Sequence, residues 1–146
     1  MIYCGYQGCG KTTYCKANPS TAIDLDSSTF EKHDGWEYEY IQKAQDLEKE
    51  TGKNIFISAH QCVINALRKL RISFEVFIPA YDKEAWRNRL AFRYNTAPHQ
   101  GNFNALADFD KHFDADMEFY ATLPPAMVHK VSATVITDMG SYLTDT

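Results

Sequence analysis

No stretch of this chain approaches the roughly 20 consecutive apolar residues that a membrane-spanning helix requires. Its four cysteines, Cys4, Cys9, Cys15 and Cys62, form no C-x-x-C pair and no cysteine–histidine zinc spacing. Redox-motif and metal-knuckle readings therefore lack support, and reduced thiols in a cytoplasmic protein are expected. The first apolar run starts at Met1 without a basic leader, so no signal peptide is expected. An excess of positive charge is missing too: 15 Lys and Arg stand against 19 Asp and Glu, for a net charge of −4. That balance argues against coating nucleic acid or an anionic membrane surface. Glycine and proline are sparse, 7 and 5 residues, and neither marks a linker, repeat or low-complexity segment.

What is present is a length of 146 residues with 45% apolar content, which suits a single domain with one core. Short β-rich runs alternate with helical stretches, the pattern of a parallel α/β sheet. Residues 1–4 read as the first strand and a helix starts near Thr12, ended by the loop around Pro19. Residues 22–26 read as a second strand that closes on Asp24 and Asp26, and residues 27–30 leave it. A helix over 37–51 places Tyr40, Ala44 and Leu47 on one face, and Gly52 stops it. Residues 54–58 are a buried strand. Val63, Ile64, Leu67 and Leu70 follow as a helical stripe, and residues 74–78 form the next strand, closed by Pro79. Asp82 can cap a helix to about Tyr94 whose inner face carries Trp86, Leu90 and Tyr94. Residues 95–102 are a polar, plausibly mobile loop. A helix over 103–123 buries Leu106, Phe109, Phe113, Met117 and Tyr120 and turns a solvated acidic face outward. Residues 130–136 alternate as a last strand. Five strands with helical crossovers predict a three-layer fold with its site beyond the carboxyl ends of the strands.

The most specific local signal is Gly5-Tyr6-Gln7-Gly8-Cys9-Gly10-Lys11-Thr12. It fits G-x-x-x-x-G-K-[ST] between a strand and a helix, the context a phosphate-binding loop requires. Glycines let successive backbone N–H groups point inward as an anion nest, and the helix that follows turns its positive end to the same anion. Lys11 would reach the β- and γ-phosphates of ATP, and the Thr12 hydroxyl would ligate Mg²⁺. The expected nucleotide contacts are thus Gly5, Gly8, Cys9, Gly10, Lys11, Thr12 and Thr13. Cys9, near a helix start, is also a candidate reactive thiol.

Other residues gather around that loop. Asp24 and Asp26 are two apart at a strand end and so face one side. One can hold Mg²⁺, and the other can take a proton from an attacking hydroxyl. Arg89 and Arg93 share a helical stripe and can stabilise charge on transferring phosphoryl oxygens; the alternative is a solvated cationic face. His60, Arg68 and Trp36 are candidate acceptor contacts, Trp36 by stacking on a base.

The order of elements over about residues 1–123 resembles the small-molecule branch of the P-loop kinases, which includes nucleoside monophosphate, shikimate and gluconate kinases. Short kinase-like proteins of bacteriophages look similar. The phosphate loop, Asp24-Leu25-Asp26, similar to the D-x-D of shikimate-type kinases, and Arg89 with Arg93, like the R-x-x-x-R of a lid, carry the likeness. The resemblance implies a P-loop NTPase fold with strand order 2-3-1-4-5 and a lid-like segment at about 82–102. It further implies Lys11 and Thr12 on triphosphate and Mg²⁺, Asp24 on the metal side, Asp26 on the acceptor side, and Arg89 and Arg93 as lid arginines. One position departs from the pattern: Ser58 stands after the third strand, where many P-loop enzymes carry a Walker B aspartate.

The expectation is an ATP- and Mg²⁺-dependent phosphotransferase acting on a small molecule, without nucleic-acid or membrane partners. The aromatic group near Trp36 and the resemblance to the bacteriophage kinase-like proteins favour a (deoxy)nucleoside monophosphate, which is the acceptor expected. The aspartate pair favours a hydroxyl compound, with Asp26 as base. The Ser58 departure leaves open a nucleotide-binding switch with little catalysis.

Overall fold

The computed structural model describes residues 1–80 and 83–131. The strands are β1 (Ile2–Gly5), β2 (Ala22–Asp24), β3 (Asn54–Ser58), β4 (Phe74–Pro79) and β5 (Val128–Val131). They form one five-stranded sheet in the order β2-β3-β1-β4-β5, and every neighbouring pair is parallel. The helices are α1 (Lys11–Ala17), α2 (Trp36–Thr51), α3 (Gln61–Lys69), α4 (Lys83–Thr96) and α5 (Gln100–Ala121). One-turn 3₁₀ segments at Ser27–Thr29 and Pro125–Met127 complete the order. The chain is therefore α/β with the expected strand order. Asp82, offered as a helix cap, and the part of the last strand beyond Val131 lie outside the described residues.

The sheet is apolar because its strands are buried on both faces, which parallel pairing requires. Ile55, Phe56, Ile57, Cys4 and Val76 are fully buried. Tyr3, level with Phe56 in the register, stacks on it at 5.1 Å and meets Phe77 at 5.8 Å. Tyr14 of α1 closes on Phe56 at 5.4 Å, so α1 covers that face. The step from β1 to β2 runs opposite to the later steps across the sheet. With right-handed crossovers, α2 and α3 then fall on the other face, where Tyr40, Ile41, Ala44, Val63, Ile64 and Leu67 are buried.

One buried hydroxyl ties the strand ends together. Tyr40 Oη of α2 donates to the carbonyl of Leu25, just past β2, and accepts the amide of Ser58, the last residue of β3, at 2.9 Å. Leu25 in turn donates its amide to Phe56. The carboxyl ends of β2 and β3 are thereby held level, which is where a ligand would bind in such a sheet.

Three expectations needed correction. The loop expected over 95–102 is mostly helix: α4 runs to Thr96, α5 starts at Gln100, and only residues 97–99 connect them. The polar residues there are caps. The His99 ring accepts the Asn102 amide, and buried Asn102 donates to the carbonyls of Arg93 and Ala97. Leu70 is not part of the buried stripe but 47% exposed, because α3 stops at Lys69 and Arg71 turns the chain with φ 56°. The acidic face of α5 is not merely solvated. Asp110 receives a fork from Arg87, and Asp114 pairs with Lys83, so exposed ion pairs line the α4–α5 contact. Such pairs set register more than stability.

Replacing Tyr40 by Phe should cost about 1–3 kcal/mol, because it strands the buried Ser58 amide and Leu25 carbonyl. Urea unfolding of the two proteins measures it; a loss below about 0.5 kcal/mol, the low end for a single hydrogen bond, would mean that the hydroxyl does not clamp the strand ends.

Candidate functional site

The loop after β1 is shaped by glycine where shape leaves no choice. Gly8 has φ 86° and Gly10 φ 95°, values that side chains resist. A Cβ on Gly8 would also meet Leu90 Cδ2 at 3.0 Å and Trp86 Nε1 at 3.2 Å, and one on Gly5 would meet Cys9 Sγ at 2.6 Å. Gly10 caps α1 without any side-chain hydrogen bond. Of the first amides of the helix, that of Lys11 is within reach of the Cys9 thiol; amides at a helix start are where an anion binds. Thr13 lies exposed in this first turn. Cys9 is almost fully buried, and burial raises its thiol pKa more than the neighbouring Lys11 and Arg89 lower it. The expected reactive thiol is thus a protonated core residue.

Lys11 and Thr12 converge on one carboxylate. Lys11 Nζ lies 2.7 Å from Asp24 Oδ1, and Thr12 Oγ1 donates to Asp24 Oδ2 at 2.7 Å. The hydroxyl and the carboxylate oxygens are hard donors of the kind Mg²⁺ selects. Among the described residues no group of three or more His, Cys, Asp and Glu side chains could hold a metal. Mg²⁺ commonly takes one or two protein ligands and completes its shell with phosphate and water.

Asp26 lies next to this pair. Its Oδ1 accepts the Ser28 amide at 2.9 Å and caps the 3₁₀ turn. Burial pushes its pKa up, but the Ser28 amide and hydroxyl, with Lys11 and Lys32 nearby, outweigh that and hold it below 3.8. Asp26 is therefore an ionised acceptor of protons and hydrogen bonds at neutral pH.

The turn after Asp26 builds a wall with α2 and the end of β3. Ser27 Oγ is 3.2 Å from His60 Nε2 and accepts from Ser58 Oγ at 3.1 Å. Trp36, the first residue of α2, meets the His60 ring edge-on at 5.6 Å. Lys32 Nζ lies 4.3 Å over the Trp36 ring and donates to the carbonyls of Ser27 and Phe30. His60 is exposed at its outer surface, yet the protein packed around its ring, and then the charge of Lys32, lower its pKa below 6.5 against the pull of Asp108 and Asp116. Trp36 and His60 thus come together, on the same side as Asp26. Arg68 does not join them. It is exposed in the last turn of α3, about 10 Å of helix rise from Gln61 and towards the opposite edge of the sheet.

On the other flank, α4 and α5 grip the loop directly. Trp86 Nε1 donates to the Gln7 carbonyl at 2.9 Å, and Gln7 Nε2 donates to the Ala105 carbonyl at 3.0 Å. Arg89 lies 5.4 Å over the Trp86 ring. Burial, then repulsion from Arg93, lowers its pKa, and Cys9 of the loop is close enough to raise it. Arg93 reaches Asn102 Oδ1 at 3.3 Å. Arg93 thus stands close enough to repel Arg89, which itself lies near Cys9 of the loop.

Sequence reasoning missed Gln7, Ser27 and Lys32. Nothing in their spacing signals them. Gln7 occupies a variable position of the loop motif, and Ser27 and Lys32 act through a turn whose shape appears only when folded. A scan against protein-family models and a search of the curated proteins return no match to this chain.

The histidines offer a direct check of these surroundings. By NMR titration, His60 should have its midpoint below 6.5, and exposed His33, held by the Asp34 carbonyl and then by Glu39, above it. Since the unfolded chain then binds the His60 proton more readily, His60 should make stability fall as pH drops through 6.5 towards its folded value. A His60 midpoint above that of His33 would contradict the packing described.

Proposed function

We propose that this protein is an ATP- and Mg²⁺-dependent phosphotransferase with a P-loop NTPase fold, acting on a small-molecule acceptor. The observation that carries the reading is the clasp of Lys11 and Thr12 on Asp24, beside a loop whose left-handed glycines include the N-cap of the following helix. Asp24 and Thr12 would hold Mg²⁺, and Lys11 would contact the β- and γ-phosphates of bound ATP. Mg²⁺ supplies charge neutralisation at the phosphoryl oxygens.

The remaining roles follow from position. Arg89 and Arg93, crowded beside the loop, can share the charge that grows on the transferring group. Asp26 stands ionised on the acceptor side and can accept the proton of an attacking hydroxyl. Trp36, His60 and Ser27 form the adjoining wall. One feature favours a second reading, a nucleotide-binding switch: Ser58 occupies the end of β3 and is tied to Ser27 instead of offering an acid.

Calorimetry with MgATP, followed by ADP release over a panel of nucleosides, nucleotides and sugars, separates the two. Binding with acceptor-stimulated turnover is expected. Lys11→Ala should lower turnover by ~10²–10³-fold, the usual cost of losing a donor that stabilises transition-state charge, and should weaken ATP binding. Asp26→Asn should depress kcat far more than ATP affinity. Binding without acceptor-stimulated turnover would favour the switch; no binding at all would refute both.

A further inference from the structure

Resting on that phosphotransferase reading, we propose that the acceptor is a hydroxyl compound that carries no phosphate or carboxylate group. Phosphoryl transfer runs in line, so the acceptor must lie across the γ-phosphate from the leaving ADP. The wall available there is made by Asp26, the Ser27–Thr29 turn, Trp36 and His60, as their mutual contacts place them.

That wall lacks the groups that hold an anionic acceptor. Recognition of a phosphate or carboxylate favours a guanidinium fork or an uncommitted ammonium. The chain has no arginine before Arg68, and Arg68 sits in the last turn of α3, away from the strand ends. Lys32 is the cation closest to the wall, and its ammonium is already committed to two carbonyls and the Trp36 face. Lys53 bonds the Pro19 carbonyl beside the opposite ends of β2 and β3. Arg89 and Arg93 belong to the flank of the loop that α4 forms, with Cys9 and Asn102 as their neighbours.

Anions, by contrast, are plentiful. Asp26 faces this space, and Asp108 and Asp116 of α5 both act on the His60 ring; Asp116 also accepts from Gln61, the residue after His60, at 2.8 Å. A second phosphate brought between them would be repelled from several directions. A hydroxyl finds the reverse. Ser27 Oγ, Ser58 Oγ and the His60 ring lie at hydrogen-bonding range of one another, Asp26 precedes them with Oδ1 on the Ser28 amide, and none of these groups demands a negative partner. In the step itself, the acceptor oxygen forms a bond to the γ-phosphorus while the bond from that phosphorus to the β,γ-bridging oxygen breaks. The hydroxyl proton passes to an Asp26 oxygen, and ADP carries away the bridging oxygen with its electron pair.

The test uses the full chain with MgATP and matched pairs of acceptors, each a neutral compound and its anionic counterpart. The four deoxynucleosides are set against their 5′-monophosphates, and pentitols and hexoses against their phosphates and aldonates. Products are identified by ³¹P NMR, and kcat/KM is measured for each pair. Transfer to a neutral member with kcat/KM at least ~10-fold above its anionic partner is expected, the ratio that one charge-assisted hydrogen bond carries. A monophosphate or aldonate preferred over its neutral partner would overturn the acceptor assignment and leave the phosphotransferase reading standing. MgATP binding with no transfer to any compound would overturn both.

Discussion

A single carboxylate, Asp24, organises the carboxyl end of this sheet. It closes β2, it pairs with the loop lysine, and it accepts the hydroxyl of the next residue. Without it, Lys11 would bring an unneutralised charge to a half-buried position, and Thr12 would have no fixed direction. With it, three groups from two separate elements sit within hydrogen-bonding distance and aim into the same space. The strand order makes this possible: β2 lies beside β3, β3 lies beside β1, and α1 returns along the sheet to deliver its first turn to the level of β2.

The two flanks of the loop differ in how they are built. On the α4–α5 side the contact is tight packing: Leu90 and Trp86 press on Gly8, and neither leaves room for a methyl group. On the α2 side it is a hydrogen-bonded wall, with Ser58, Ser27 and His60 in a row and Tyr40 fastening the strand ends beneath. Hydroxyls and an imidazole, not an acid, stand at the end of β3.

Much of this was legible in the sequence, for identifiable reasons. The glycine spacing of residues 5–12 can be read because it is a backbone requirement that few other residues satisfy. Residues 54–58 read as a buried strand because a short run of branched and aromatic residues bounded by polar ones has little alternative. The strand order came with the resemblance, and the sheet has it. The connection between α4 and α5 was not legible, because Asn, His and Gly look alike whether they cap two helices or float in a loop; only the Asn102 bonds to Arg93 and Ala97 distinguish them. Arg68 lies apart from the other candidates for a geometric reason. A helix that starts at the site ends away from it, and position along α3 decides what a motif match cannot. Lys32 and Ser27 were invisible because their partners are backbone carbonyls and each other.

Gln7 merits a final step. Its carbonyl is gripped by the indole of α4 and its amide hooks a carbonyl of α5, so the residue is threaded between the two arms of the helical hairpin. The loop and the hairpin are consequently geared. A guest that widens the loop by a fraction of an ångström must drag both arms with it, and a push on the outer ends of the hairpin is felt at the centre of the sheet.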